Sequence, residues 1–136
     1  MNPAAPPAVK PKFIYAGIRV KSIKRSVDFY TKFLGMRLKG TQRIEETKGD
    51  VASLVSEDGG VEIELNHYDR DSPFYEKYSV GEALDHLAFV VDELDEALRT
   101  AKRMGYRVAK VVRTKTSRWA YVKDPNGIWI ELCQAG

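Results

Sequence analysis

Apolar and polar residues alternate in two short runs, and each run is followed by a stretch in which apolar residues recur every third or fourth position. Residues 15–20 and 86–91 have the period-two pattern of a strand with one face buried. The stretches that follow have the spacing of an amphipathic helix. Their apolar positions are Ile23, Val27, Tyr30 and Leu34 in the first half, and Leu94, Leu98, Ala101 and Met104 in the second.

Residues typical of helix ends flank both helical stretches. Ser22 and Asp92 stand where an N-cap side chain is expected. Gly35 and Gly105 stand where a helix commonly ends in a left-handed residue. The sequence therefore predicts one helix within residues 22–35 and another within residues 92–104.

The two halves also end alike, with a tight turn followed by an alternating strand. The turns lie at 58–60 and 124–127, and the strands at 61–65 and 128–132. Each half has room for two further strands, at 36–44 and 51–55 and at 107–112 and 118–123. This internal similarity predicts an α+β fold of two tandem βαβββ repeats, with curved mixed sheets and the helices on their outer face.

The length and composition fit one globular domain. The chain has 136 residues, of which 43% are hydrophobic and 30% charged. We expect a single domain over 13–134, with repeats at about 13–68 and 84–134 and a connector at about 66–82. The segment 1–12, rich in proline and alanine, is expected to be a flexible N-terminal tail.

The charge pattern and the distribution of apolar residues argue against nucleic-acid and membrane partners. The net charge is +3, but basic residues are interleaved with acidic ones, as at Glu46 and Lys48, so we expect no nucleic-acid binding. No apolar run approaches the ~20 residues of a membrane span, and we find no signal peptide. A cytoplasmic protein is the expectation. Cys133 is the one cysteine, and we expect it to be a small core residue.

Strand alternation separates apolar faces from faces that carry polar groups. Val61, Ile63 and Leu65 share one face, as do Ile128, Ile130 and Leu132, and we expect both faces to pack on the helices. The opposite faces carry residues at equivalent positions of the two repeats. These are Tyr15 and His86 on the first strands, and Glu64 and Glu131 on the last.

Two carboxylates and an imidazole suit a divalent first-row metal ion, and closely placed carboxylates need a cation to offset their repulsion. A lone strand histidine is more often structural, and a lone strand glutamate is usually solvated, as we expect for Glu62. His67 is more simply a surface residue. The equivalent placement in the repeats favours a metal site formed by Glu64, His86 and Glu131 over these alternatives.

The motifs of the chain closely resemble those of glyoxalase I, a family of the vicinal oxygen chelate superfamily. The matching segments are 18–20, 26–31, 34–36, 63–65, 85–88 and 124–132. The resemblance implies one divalent metal ion (Zn²⁺, Ni²⁺, Co²⁺ or Mn²⁺) on Glu64, His86 and Glu131. It also implies Glu131 as catalytic base, with Glu64 as ligand or as base on the opposite face. The family's first ligand, a His or Gln, falls at Tyr15.

Tyr15 leaves three arrangements open: three protein ligands plus water, a tyrosinate ligand, or a site without metal. The resemblance places Arg19 where the family contacts glutathione, and Tyr68 where it has an asparagine. We expect Tyr15, Arg19, Tyr68 and Trp129 to bind the small-molecule substrate.

The reaction implied by the resemblance is a proton transfer on a small α-hydroxycarbonyl or thiohemiacetal, carried out by a homodimer. Two enzyme alternatives within the superfamily stay open, a methylmalonyl-CoA epimerase type and a dioxygenase type. The dioxygenase type needs a second histidine, which position 15 lacks. A further alternative is a metal-free protein that sequesters a ligand, as bleomycin-resistance proteins do.

Overall fold

A computed structural model describes residues 14–82, 84, 86–113 and 115–134; the predicted N-terminal tail, 1–12, lies outside these ranges. The described residues form eight strands and two α-helices, the first of which continues into a π-helical turn. The strands are β1 (Ala16–Arg19), β2 (Arg37–Ile44), β3 (Gly49–Val55), β4 (Glu62–Tyr68), β5 (His86–Val91), β6 (Val108–Arg113), β7 (Arg118–Lys123) and β8 (Trp129–Gln134). The helices are α1 (Ile23–Asp28), with the π-turn Phe29–Phe33, and α2 (Leu94–Arg103). None of the helices within these ranges is long and apolar enough to cross a membrane.

The strands form two sheets of the same topology, one for each half of the chain. Within the described residues the orders are β1-β4-β3-β2 and β5-β8-β7-β6. In each sheet the first strand pairs in parallel with the last, and the other pairs are antiparallel. The prediction of two tandem βαβββ repeats is confirmed, and we call the two halves module 1 and module 2.

The first helix begins as predicted, at Ser22, whose hydroxyl accepts a hydrogen bond of 3.2 Å from the Arg25 backbone N–H. After Asp28 the helix widens into the π-turn. Phe29 and Tyr30 are consecutive, and both are fully buried there. The π-turn therefore places two adjacent side chains in the core, a wider contact surface than the single stripe of an α-helix. The segment ends at Gly35, where φ is +71°.

The prediction for the start of the second helix is wrong: the N-cap is Glu93, not Asp92, and the Glu93 side chain makes no cap hydrogen bond. Gln134, on strand β8, supplies the cap instead. Its Oε1 accepts a hydrogen bond of 2.7 Å from the Leu94 backbone N–H, and its Nε2 donates to the Asp92 carbonyl. The helix ends before Gly105, as predicted, with φ of +85°.

The core lies between the helices and one face of each sheet. Ile63 and Leu65 of β4, and Ile130 and Leu132 of β8, are buried there, as their alternation predicted. Val61 is an exception, because it is 62% exposed. It precedes β4 and belongs to the turn, where its carbonyl accepts a hydrogen bond from the Ser56 backbone N–H.

A buried polar network joins the two modules. The Tyr30 hydroxyl donates to Asp124 Oδ2 at 2.9 Å, and Asn126 Nδ2 donates to Ser26 Oγ at 3.0 Å. Asn126 Oδ1 also accepts from the Lys21 backbone N–H at 2.7 Å. The turn between β7 and β8 is therefore bonded to the helical segment of module 1, and both halves share one core.

The first residues of the predicted connector belong to a strand. Strand β4 runs to Tyr68, so residues 66–68 of the predicted connector pair with β3. Further along, the Ser72 hydroxyl donates to the Thr47 carbonyl, and the Tyr78 hydroxyl donates to the Asn126 carbonyl. The connector is thereby attached to both modules.

Candidate active site

The strand register places Glu64 and Glu131 at equivalent points of the two sheets. Glu64 lies beside Gly17 on the parallel neighbour, and Glu131 lies beside Ala88. Their neighbours along the chain, such as Leu65 and Leu132, are buried toward the helices. Both glutamates therefore face away from the helices, on what we call the open face of each sheet.

Tyr15 and Glu64 form the first half-site. The negative charge of Glu64, together with burial and a hydrogen bond between the two side chains, raises the pKa of the Tyr15 hydroxyl above its ordinary value. Glu62, expected to be solvated, is half-buried and forms an ion pair with Lys39. The first half-site thus offers one carboxylate without a lysine or arginine salt bridge among the described contacts, with a phenol beside it.

Arg19 and Tyr68, both predicted to bind substrate, lie together at the other end of the same open face. The Arg19 guanidinium carbon is 5.6 Å from the centroid of the Tyr68 ring. Its nitrogens contact the connector, donating to the Phe74 carbonyl at 3.2 Å and to Glu76 at 3.2 Å. Because Tyr68 also packs on Phe74, with ring centroids 5.9 Å apart, the connector holds Arg19 in place and pairs its charge with Glu76.

His86 and Glu131 form the second half-site. His86 lies beside Trp129 on the adjacent parallel strand, and Glu131 follows two positions after Trp129 on the same face. Both carboxylate oxygens of Glu131 accept hydrogen bonds from its own sheet. Oε1 accepts from the Tyr121 hydroxyl at 3.2 Å, and Oε2 accepts from the Cys133 thiol at 3.3 Å.

Aromatic rings surround the second half-site, among them the predicted substrate-binding residue Trp129. The Tyr121 ring lies 6.4 Å from the His86 ring and 6.1 Å from the Trp129 ring, both nearly perpendicular. Lys123 Nζ lies 3.7 Å from the centroid of the Trp129 ring. This face offers an apolar wall with one cation above it.

Sequence reasoning missed Trp119, Tyr121 and Lys123, although a signal was present. Strand 118–123 was predicted at its observed bounds, and its alternation puts these three residues on one face. The register then sets that face beside Trp129 and Glu131. Assigning faces to the middle strands as well as the outer ones identifies them.

Cys133 is not the core residue that the sequence suggested. It is half-buried on the open face, two positions along β8 from Glu131. Burial raises the pKa of the Cys133 thiol, and the adjacent carboxylate raises it further. The thiol is therefore a protonated hydrogen-bond donor to Glu131.

The predicted metal ligands do not all meet within one chain. Among the described residues, no three histidine, cysteine, aspartate or glutamate side chains are close enough together to hold a metal ion. Glu64 is part of one half-site, and His86 and Glu131 are part of the other. If the two half-sites come together, they combine the Glu64 carboxylate with the His86 imidazole and the Glu131 carboxylate. This set of donors fits a divalent first-row metal ion.

The sequence of this chain is similar to proteins of a known superfamily. Residues 12–132 match the Glyoxalase/Bleomycin resistance protein/Dioxygenase superfamily. The chain is 32% identical over 130 residues to lactoylglutathione lyase of Escherichia coli O157:H7, covering 90% of this chain and 92% of that one. It is 34% identical over 128 residues to lactoylglutathione lyase of Haemophilus influenzae, covering 90% and 92%.

Solved structures share the fold at lower identity. A glyoxalase family protein from Bacillus cereus superposes with a TM-score of 0.78 at 22% identity, over 96% of this chain and 98% of that one. The trypanothione-dependent glyoxalase I of Leishmania major superposes with a TM-score of 0.72 at 24% identity, over 92% and 87%.

Proposed function

The chain belongs to the Glyoxalase/Bleomycin resistance protein/Dioxygenase superfamily, and on this premise we propose that it is a metal-dependent lyase of the glyoxalase type. The proposed reaction moves a proton between adjacent carbons of a small α-hydroxycarbonyl or of a thiohemiacetal. The observation that carries the proposal is the equivalent register of Glu64 and Glu131 on two open faces, with His86 beside one of them.

The proposed site is completed by two copies of the chain. One protomer contributes Glu64, and its partner contributes His86 and Glu131, because these half-sites do not join within one chain. Strands β1 and β5, next to the two glutamates, are edge strands of their sheets in the described structure. In a two-fold dimer, β1 of each protomer can lie beside β5 of its partner. This contact occurs twice and gives two sites per dimer.

The proposed proton carrier is Glu131. Its carboxylate takes the proton from the hydroxyl-bearing carbon of the substrate and returns it to the neighbouring carbon, while the hydroxyl proton passes to the former carbonyl oxygen, so that the hydroxyl and carbonyl groups exchange places without an oxidant. Glu64 approaches from the opposite side and serves as ligand. When bound, a divalent metal ion supplies positive charge against the negative charge that develops on two adjacent substrate oxygens.

Tyr15 and Arg19 have separate proposed roles. Tyr15 lies beside Glu64, whose negative charge raises the pKa of the phenol, and we assign it a hydrogen-bonding role, so that Glu64, His86 and Glu131 are the residues that would hold the metal ion. Arg19 sits on the same open face and binds the anionic end of a thiol-bearing substrate in place of the exposed Glu76 carboxylate, with the Tyr68 ring beside it. The aromatic wall around Trp129 contacts the apolar part of the substrate.

The experiment that tests this proposal is a metal titration coupled to an assay. Chelator-stripped protein is titrated with Zn²⁺, Ni²⁺, Co²⁺ and Mn²⁺ by calorimetry, and each form is assayed with the thiohemiacetal of glutathione and methylglyoxal. We expect one metal ion per chain, loss of turnover in Glu131→Gln, and a His86→Ala variant with metal affinity lowered at least ~10-fold. Wild-type protein that binds none of the four metals contradicts the proposal.

A metal-free ligand-binding protein is the second candidate, and the observation that favours it is Tyr15 at the position of a metal ligand. In that case Tyr15 and Glu64 form a hydrogen-bonded pair that needs no cation. The same titration separates the two candidates, since the second requires ligand binding that chelators do not change.

A further inference from the structure

Tyr121, which the sequence analysis did not identify, contacts several groups of the second half-site. Its hydroxyl is 3.2 Å from Glu131 Oε1 and 3.3 Å from Trp119 Nε1. Its ring packs edge-on against the rings of both His86 and Trp129. One side chain therefore contacts the proposed base, the proposed histidine ligand and the aromatic wall.

The direction of these hydrogen bonds is fixed by chemistry. The indole N–H of Trp119 can only donate, so the Tyr121 oxygen is the acceptor of that bond. The phenol's own proton is then directed to Glu131 Oε1. The Cys133 thiol donates to the other oxygen, Oε2, from two positions further along the same strand. Glu131 is thus oriented by donors on both oxygens.

We propose that Tyr121, itself directed by Trp119, is a positioning residue that holds the carboxylate of Glu131 in the orientation needed for metal binding and proton transfer. This inference rests on the proposed function. Tyr121 and Glu131 lie directly opposite each other on β7 and β8, so the contact is set by the strand register and not by a mobile loop. Cys133 is the weaker of the two donors, because a thiol hydrogen bond is weaker than that of a phenol.

A carboxylate held by two donors has fewer orientations to lose when it binds a metal ion or a substrate proton. Removing the Tyr121 hydroxyl leaves Glu131 Oε1 without that donor and frees the carboxylate to rotate. Loss of a hydrogen bond to a metal ligand typically lowers metal affinity about 10-fold or more. The effect on turnover should fall on kcat more than on KM, since the orientation matters most where the proton moves.

The test uses Co²⁺ as the probe, because its absorption spectrum reports the coordination geometry. Wild type, Tyr121→Phe and Trp119→Phe are stripped with chelator and titrated with Co²⁺, and the visible spectra are recorded at saturation. Tyr106→Phe is the matched control: it removes a phenol from the same module, but Tyr106 packs on Phe29 and Phe33, away from Glu131.

We expect Tyr121→Phe to bind Co²⁺ about 10-fold more weakly than wild type, with an altered spectrum and an unfolding midpoint close to that of Tyr106→Phe. Trp119→Phe should show a smaller loss in the same direction, and it carries the test if Tyr121→Phe does not fold. If both variants bind Co²⁺ as tightly as wild type and give its spectrum, the role of Tyr121 is overturned while the proposed function stands. If wild type itself binds no metal, both proposals are overturned.

Discussion

Tyr30 and Asp124 are 94 residues apart in the sequence, and yet the Tyr30 hydroxyl donates a buried hydrogen bond of 2.9 Å to the Asp124 carboxylate. This bond crosses from the π-turn of module 1 to the turn between β7 and β8 of module 2. Asp124 also accepts from the Asn126 and Ile128 backbone N–H groups, so one carboxylate organises the turn and holds the first module against it.

Tyr30→Phe should lower the free energy of unfolding by about 1–3 kcal/mol, because it removes a buried hydrogen bond to a charged acceptor and leaves the ring in place. The measurement is urea unfolding at neutral pH, followed by circular dichroism. Tyr106→Phe serves as control, since Tyr106 is only half-buried. An unfolding free energy equal to that of wild type would show that the bond contributes nothing.

The same residue predicts how stability depends on alkaline pH. Burial, and next the Asp124 carboxylate, raise the pKa of Tyr30 above its ordinary value of 10.0. The folded state thus favours the protonated phenol: the stabilisation is complete below pH 10.0 and is lost as the pH rises further. Unfolding free energies measured between pH 8 and pH 12 should fall more steeply for wild type than for Tyr30→Phe, by up to about 1.4 kcal/mol per pH unit. Equal slopes would contradict the prediction.

Gln134→Ala should destabilise the protein by about 1 kcal/mol, the usual cost of losing a helix cap. Gln134 supplies the bond that Glu93 does not make, through Oε1 to the Leu94 backbone N–H. Gln134→Glu keeps the acceptor for the Leu94 N–H and adds a negative charge near a helix N-terminus, but it loses the donor to the Asp92 carbonyl, so its stability should lie between those of wild type and the alanine variant. The check is chemical denaturation of both variants, and a more stable alanine variant would exclude the cap role.

Mixing two inactive variants should restore metal sites, if each site takes Glu64 from one protomer and Glu131 from its partner. Glu64→Ala and Glu131→Ala each have two damaged sites per dimer, whereas a hybrid has one intact site. Random exchange makes about half the dimers hybrids, so about one quarter of wild-type sites should return. High-affinity Co²⁺ sites are counted before and after unfolding and refolding the mixture. If no sites return, the half-sites are not shared between protomers.

Much of the fold was predictable because its pattern occurs twice. The buried positions Ile63 and Leu65 in module 1 recur as Ile130 and Leu132 in module 2, which fixed the faces of the last strands and so the side on which Glu64 and Glu131 lie. Alternation has a period of two, so a single buried residue determines the direction of its neighbours.

One feature that escaped prediction depends on a contact between distant residues. The cap of α2 comes from Gln134, 40 residues beyond the helix start, and no local signal distinguishes it from a local cap by Asp92. Cys133 was expected in the core because of its residue type, although the alternation of β8 that places Glu131 on the open face places Cys133 there too. The metal-ligand assignment to Glu64, His86 and Glu131 stays a prediction.

The pairing of each first strand with the last strand of its own module affects how the chain is made on the ribosome. Module 1 can close its sheet once β4 has emerged, but Tyr30 then waits for Asp124, which is 94 residues away. Asp124 lies 56 residues after the end of β4 at Tyr68, so at usual synthesis rates of about 5–20 residues per second that interval lasts roughly 3–11 s. During this interval the sheet of module 1 is complete, but Phe29 and Tyr30 are not yet covered by module 2. Exposed aromatic side chains of this kind are typical binding sites for chaperones. Translation speed between the two modules should therefore influence the yield of folded protein.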